Sequence, residues 1–108
     1  MKDDKLYLAH IRDAIRKICF YTAGGREEFM QNPMAQNAVV RNFEIIGEAA
    51  KRLSDHARKQ RPEIPWRAIS EFRNVLIHDY MGVDLIEVWK VIERDLPALS
   101  RAVEDLLK

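Results

Sequence analysis

Apolar side chains recur along this chain at steps of three and four, the spacing that gathers them on one face of a helix. Leu8, Ile11, Ile15, Ile18 and Tyr21 form the first stripe and predict a helix over residues 3–23, stopped by Gly24-Gly25. Arg26 to Gln31 predicts one short turn of helix, closed by Asn32-Pro33. Asn suits the residue before a helix because its side chain can accept from a free backbone N–H, and Pro suits the first turn, where an N–H has no helical partner. A new helix therefore starts there. Val39, Phe43, Ile46, Ala50, Leu53 and Ala57 are its stripe, and the spacing carries it to about Gln60, before Pro62 and Pro65 break the chain.

Pro65 can open the next helix, with Ile69, Phe72, Leu76 and Tyr80 as its stripe and Gly82 at or beyond its end. The last stripe is Leu85, Trp89, Ile92, Leu96, Leu99, Val103 and Leu106. Asp84 with Glu87 resembles a capping box at its start, and Pro97 predicts a kink that need not end the helix. Gly47, inside the second long helix, costs about 1 kcal/mol relative to Ala, which predicts that another backbone comes close there. No segment alternates with period two and nothing repeats. The expected fold is all-α, an antiparallel four-helix bundle with a short extra helix.

Length and composition narrow the function classes. A chain of 108 residues has surface enough for one core, so residues 1–108 are expected to be a single domain. An apolar share of 47% beside a charged share of 32% excludes a disordered polymer. No apolar run approaches the roughly 20 residues of a membrane span. The charged start, Met1 to Lys5, leads directly into the amphipathic pattern and has no signal-peptide character. The single cysteine, Cys19, cannot form an internal disulfide, and the cytoplasm is the expected location.

A net charge of +1 does not by itself announce a nucleic-acid binder. The distribution adds something. Between Lys51 and Arg73 seven basic residues stand against three acidic ones, a local excess able to hold phosphates. Glycine-rich phosphate loops, HExxH, CxxC and GxSxG are all missing, and the histidines and cysteine have no metal-ligand spacing. No metal and no cofactor is expected.

The segment Arg73 to Tyr80 stands out. On a helical wheel at about 100° per residue, Ile69, Phe72, Leu76 and Tyr80 fall together, while Asn74 and His78 lie on the far side of the helix. Arg73 falls between them, near Trp66 and Ile77. A polar group of Arg, Asn and His beside a smaller apolar strip has the character of an interface, in which a partner chain covers Trp66 and Ile77. Periodicity alone also allows surface residues without a role.

Arg73, four residues, His78, one residue, Tyr80 resembles the R-x4-H-x-Y signature of the HEPN-domain toxins of the HepT group. The resemblance continues in Tyr21-Thr22-Ala23-Gly24 with Phe29, Ile45-Ile46-Gly47-Glu48-Ala49-Ala50, Ile64-Pro65-Trp66, Asp95-Leu96-Pro97 and the leucine-rich tail. It implies a metal-independent endoribonuclease that works as a homodimer, Arg73 and His78 of both chains lining one cleft. In that reading His78 moves protons, Arg73 holds the phosphate and Asn74 orients one of them. It also implies that Tyr80 is the tyrosine modified with AMP by an antitoxin of the minimal nucleotidyltransferase type. The alternative is a non-catalytic HEPN subunit that binds a nucleotide or a nucleotidyltransferase, and a third is a plain helical dimerisation protein. Glu48, with Lys51 and Arg52 a turn later, is expected near the site, in a structural role.

Overall fold

The first stripe folds as α1 (Asp4–Tyr21), ended at Thr22, whose hydroxyl donates to the Ile18 carbonyl at 2.7 Å and so occupies one of the last turn's free acceptors. The computed structural model describes residues 3–78 and 82–108, apart from the side chains of Ile77 and His78. Gly25, at φ +92°, takes the left-handed turn into α2 (Arg26–Gln31), a conformation that side chains resist. Asn32 then caps α3 (Pro33–Arg52), its side-chain oxygen accepting from the Ala35 N–H at 3.1 Å. Gln36 donates back to the carbonyls of Phe29 and Met30, at 2.9 and 3.0 Å, which ties α2 to α3.

The second long helix is shorter than its stripe predicts. It ends at Arg52, Leu53 turns extended (φ −63°, ψ 144°), and Ser54 caps a separate α4 (Asp55–Gln60) by accepting from Ala57 N–H at 3.1 Å. The break has a distant cause. The carboxylate of Asp4 accepts from the Ser54 N–H at 2.9 Å and from the Ser54 hydroxyl at 2.6 Å. Leu53 and Ala57 stay buried on both sides of the break, so the hydrophobic spacing passes through it unchanged.

Next comes α5 (Trp66–His78), its first turn closed by Ile69 N–H donating to the Pro65 carbonyl at 3.0 Å. Asp84 caps α6 (Leu85–Arg94), accepting from Ile86 and Glu87 N–H at 3.0 and 3.3 Å. The Glu87 carboxylate pairs outward with Lys90. The last stripe is two helices, because Asp95 interrupts it and α7 (Leu96–Leu107) begins with Pro97 in its first turn. Asp95 stays close to helical geometry (φ −106°, ψ −31°), and the buried stripe runs on through Leu96, Leu99 and Val103.

Helix α1 lies against α3 and α7, α3 against α5, and α2 against α3. Asp4 at the start of α1 meets Ser54 just beyond α3, which makes these two antiparallel. The fold is an all-α bundle of four: α1, α3, α5 and the α6–α7 pair. Two short helices, α2 and α4, are added where one was expected, and no strand occurs among the described residues. Ile11, Ile18, Val39, Ile46, Val88 and Val103 are fully enclosed at its centre. Phe43 meets Phe72 edge to face at 5.5 Å, fixing α3 on α5.

Trp66 corrects the wheel. It is 6% exposed, packs in the core and donates its indole N–H to the Arg61 carbonyl at 3.1 Å. It is therefore not open to a partner chain. Among the described side chains of α5, the large apolar one that is exposed is Val75, at 61%.

Candidate active site

The site is organised by the close approach of α3 and α5. Gly47 is buried in α3, and a Cβ built on it would stand 2.5 Å from the Cβ of Arg73 and 3.3 Å from the Ile69 carbonyl oxygen. The missing side chain lets the base of Arg73 settle against the α3 backbone, which accounts for the helix-interior glycine. The rest of Arg73 reaches outward, and its side chain is one-third exposed.

Glu48, the next residue along α3, sets the electrostatics. One carboxylate oxygen lies 3.3 Å from Arg73 Nε and the other 3.0 Å from Arg52. The hydrogen bond to Glu48, with a smaller contribution from Tyr7, raises the Arg52 pKa above its usual value. On its other side Arg73 donates to the Asn74 side-chain oxygen at 3.4 Å. Arg73 is thus steered by one carboxylate and one amide, and its exposed edge stays available to an anion.

Two open clefts share Arg73 as a wall. The first, about 330 Å³, is bounded by Tyr7 and His10 of α1, Arg41, Glu44, Glu48 and Arg52 of α3, and Arg73. The second, about 310 Å³, is bounded by Lys51, Arg58, Arg67, Ser70, Glu71, Arg73 and Asn74. A largely apolar pocket of about 250 Å³ lies elsewhere, between α3, α5 and the α6–α7 junction, and Arg73 does not line it.

Of the residues singled out in the sequence, Arg73 and Asn74 are together on α5 and Glu48 joins them from α3. His78 is the last residue of α5, five positions beyond Arg73, or about 7.5 Å along a helix axis. Its side chain, with that of Ile77, is outside the description, and Tyr80 lies outside the described residues. Sequence reasoning missed Tyr7 and His10, whose rings stand 6.2 Å apart on the wall facing Arg73. No local signal marks them, because only the α1–α3 packing brings them there. No described helix is long and apolar enough to cross a membrane.

Comparison with known proteins gives a consistent picture. Residues 11–106 match the family described as ribonuclease HepT-like. A Thermococcus cleftensis protein named probable ribonuclease HepT is 40% identical over 114 residues, covering 99% of this chain and 98% of that one. A candidate RNase of Caldanaerobacter subterraneus is 35% identical over 109 residues, covering 100% and 97%. A Methanocaldococcus jannaschii protein, named a gamma-glutamylcyclotransferase and candidate RNase, is 43% identical over 108 residues. That match takes 99% of this chain and 47% of the relative, so the chain spans about half of its length. No solved structure matches significantly.

Proposed function

The chain belongs to the ribonuclease HepT-like family, and from that premise we propose that it is a metal-independent endoribonuclease, the toxin of a toxin–antitoxin pair. The observation that carries this reading is Arg73 itself. Its stem is fixed against Gly47, its guanidinium is steered by Glu48 and Asn74, and its free edge faces two open clefts on the helix that ends in His78.

RNA brings its own nucleophile, and the proposed chemistry uses it. His78 removes the 2′-hydroxyl proton, the oxygen attacks the adjacent phosphorus, and the bond to the 5′-oxygen breaks. A second histidine protonates the leaving oxygen, giving a 2′,3′-cyclic phosphate and a 5′-hydroxyl. Arg73 binds the non-bridging oxygens as charge builds on them. Asn74 orients the phosphate or the imidazole. A homodimer supplies the second histidine, and the exposed Val75 beside Asn74 is the apolar contact that such a dimer would cover. DNA, lacking the 2′-hydroxyl, is not cut by this route.

The rest of the reading concerns control and place. Tyr80, two residues beyond His78, is the proposed target of a nucleotidyltransferase antitoxin. AMP added there would bring bulk and negative charge to compete with the substrate phosphate for Arg73. The enzyme acts in the cytoplasm as one domain, where reducing conditions suit the exposed thiol of Cys19.

Cleavage of RNA in chelator-containing buffer, with product ends read by mass spectrometry, is the test. His78→Ala and Arg73→Ala each lower the rate by about 100-fold or more while circular dichroism is unchanged. Full activity in His78→Ala refutes the mechanism. A wild-type chain that binds nucleotide or nucleotidyltransferase and cuts no RNA supports a binding subunit instead.

A further inference from the structure

Apart from Arg73, the basic residues between Lys51 and Arg73 are not used by the chemistry above, and the fold collects three of them beside it. Lys51 comes from the last turn of α3, Arg58 from α4 and Arg67 from the first turn of α5, and all three line the second cleft with Arg73 and Asn74. We infer that this cleft is the track that holds the RNA backbone next to the scissile phosphate, binding its phosphates without reading bases. The inference rests on the ribonuclease reading and adds where the strand lies.

Charge distinguishes the two clefts. The second has four cations against the single carboxylate of Glu71. The first has three cations against two carboxylates, and Glu48 already engages two of those cations. In a chain of net charge +1 the second cleft is therefore where a polyanion is attracted. Its cations are also free to exchange partners. Arg58 pairs with Asp55 at 2.6 Å and Arg67 with Glu71 at 3.0 Å, each a neighbour on the same helix. Exposed pairs of this kind are weak, so phosphates displace them readily. Because Arg73 walls both clefts, a strand lying over Lys51, Arg58 and Arg67 delivers its next phosphate to the guanidinium.

Binding of a mixed-sequence, single-stranded RNA oligonucleotide, 2′-O-methylated throughout so that it cannot be cut, tests the inference by fluorescence anisotropy over a range of salt. In the variant Lys51→Ala/Arg58→Ala/Arg67→Ala, Kd rises about tenfold or more and the slope of log Kd against log salt falls by about 2, from ~0.7 per phosphate on single strands. Lys17→Ala/Arg26→Ala/Arg101→Ala removes as much charge from outside both clefts and leaves Kd within about twofold. An unchanged slope in the first variant, or an equal loss in the second, overturns the track. Should the triple variant unfold, Lys51→Ala/Arg67→Ala, which keeps the Arg58–Asp55 pair of α4, decides with a slope change of about 1. If wild-type protein shows His78-dependent cleavage and the track variants bind normally, the track fails and the ribonuclease reading stands. If it neither binds nor cuts RNA, both fail.

Discussion

Gly47 and Arg73 meet so closely across the α3–α5 contact that a Cβ on the glycine would lie 2.5 Å from the Cβ of the arginine. Alanine at this position improves helix propensity by about 1 kcal/mol, but overpacking of a tight contact costs about 1–3 kcal/mol. Gly47→Ala is therefore expected to lower thermal stability despite the better helix former. RNA cleavage should fall further than the folded fraction does, because the displaced residue is Arg73. Thermal unfolding followed by circular dichroism, beside a cleavage assay below the transition, checks both. A higher Tm with normal activity would show that the contact is not tight.

Glu48 holds the Nε side of Arg73, so its charge stands beside the edge proposed to bind the substrate phosphate. Glu48→Gln removes the competing charge, so KM for RNA is expected to fall, by no more than about fivefold for an exposed ion pair of ~1 kcal/mol. The steering of the guanidinium is lost with it, and kcat falls as well. Steady-state kinetics separate the two effects, and a raised KM with unchanged kcat would contradict this role.

Asp4 links stability to pH. Burial works against its charged form, but the hydrogen bonds from the Ser54 hydroxyl and N–H are the largest of the interactions that together hold its pKa below the usual carboxylate value. A carboxyl lowered on folding contributes stability that is complete above its unfolded pKa of about 3.9 and is lost as pH falls through the lower folded value. Asp4→Asn should cost about 1 kcal/mol or more at neutral pH and weaken the acid dependence below pH ~4. Urea unfolding at neutral and acid pH measures this; parallel acid limbs in mutant and wild type would exclude it.

Trp66 and Val75 separate core from interface. Trp66→Ala removes a buried ring and its hydrogen bond to Arg61, with an expected loss of about 3–5 kcal/mol. The result should be unfolding. Val75→Glu changes an exposed residue, so the protein should stay folded with a Tm near wild type while the proposed dimer dissociates. Light scattering with circular dichroism distinguishes these outcomes, and a Val75→Glu variant that remains dimeric moves the interface elsewhere.

The elements readable from sequence were those whose causes are local. Asn32 and Asp84 cap the helices that their residue types predict, and the stripes on α1 and α3 identify buried residues, with Tyr21 at the last position of α1 the exception, 40% exposed. The α3–α4 break escaped because Leu53 and Ala57 keep helical spacing across it, while its cause, Asp4, is fifty residues away. Trp66 escaped because a wheel ranks angles and does not know how far neighbouring helices wrap around α5. Gly47 shows the same limit from the other side: the sequence asked for a close neighbour, and only the packing identifies it as Arg73. Tyr7 and His10 enter the first cleft through packing alone.

The clasp between Asp4 and Ser54 also sets an order of assembly. Helix α4 has six residues, far short of the roughly 12–15 that an isolated helix needs to persist. Its cap is held by a contact that closes a loop of fifty residues, so α4 consolidates only after α1 has docked on α3. Arg58 travels with it. A chain shortened past Asp4 is therefore expected to acquire the α3–α5 contact at its usual pace and α4 late or not at all.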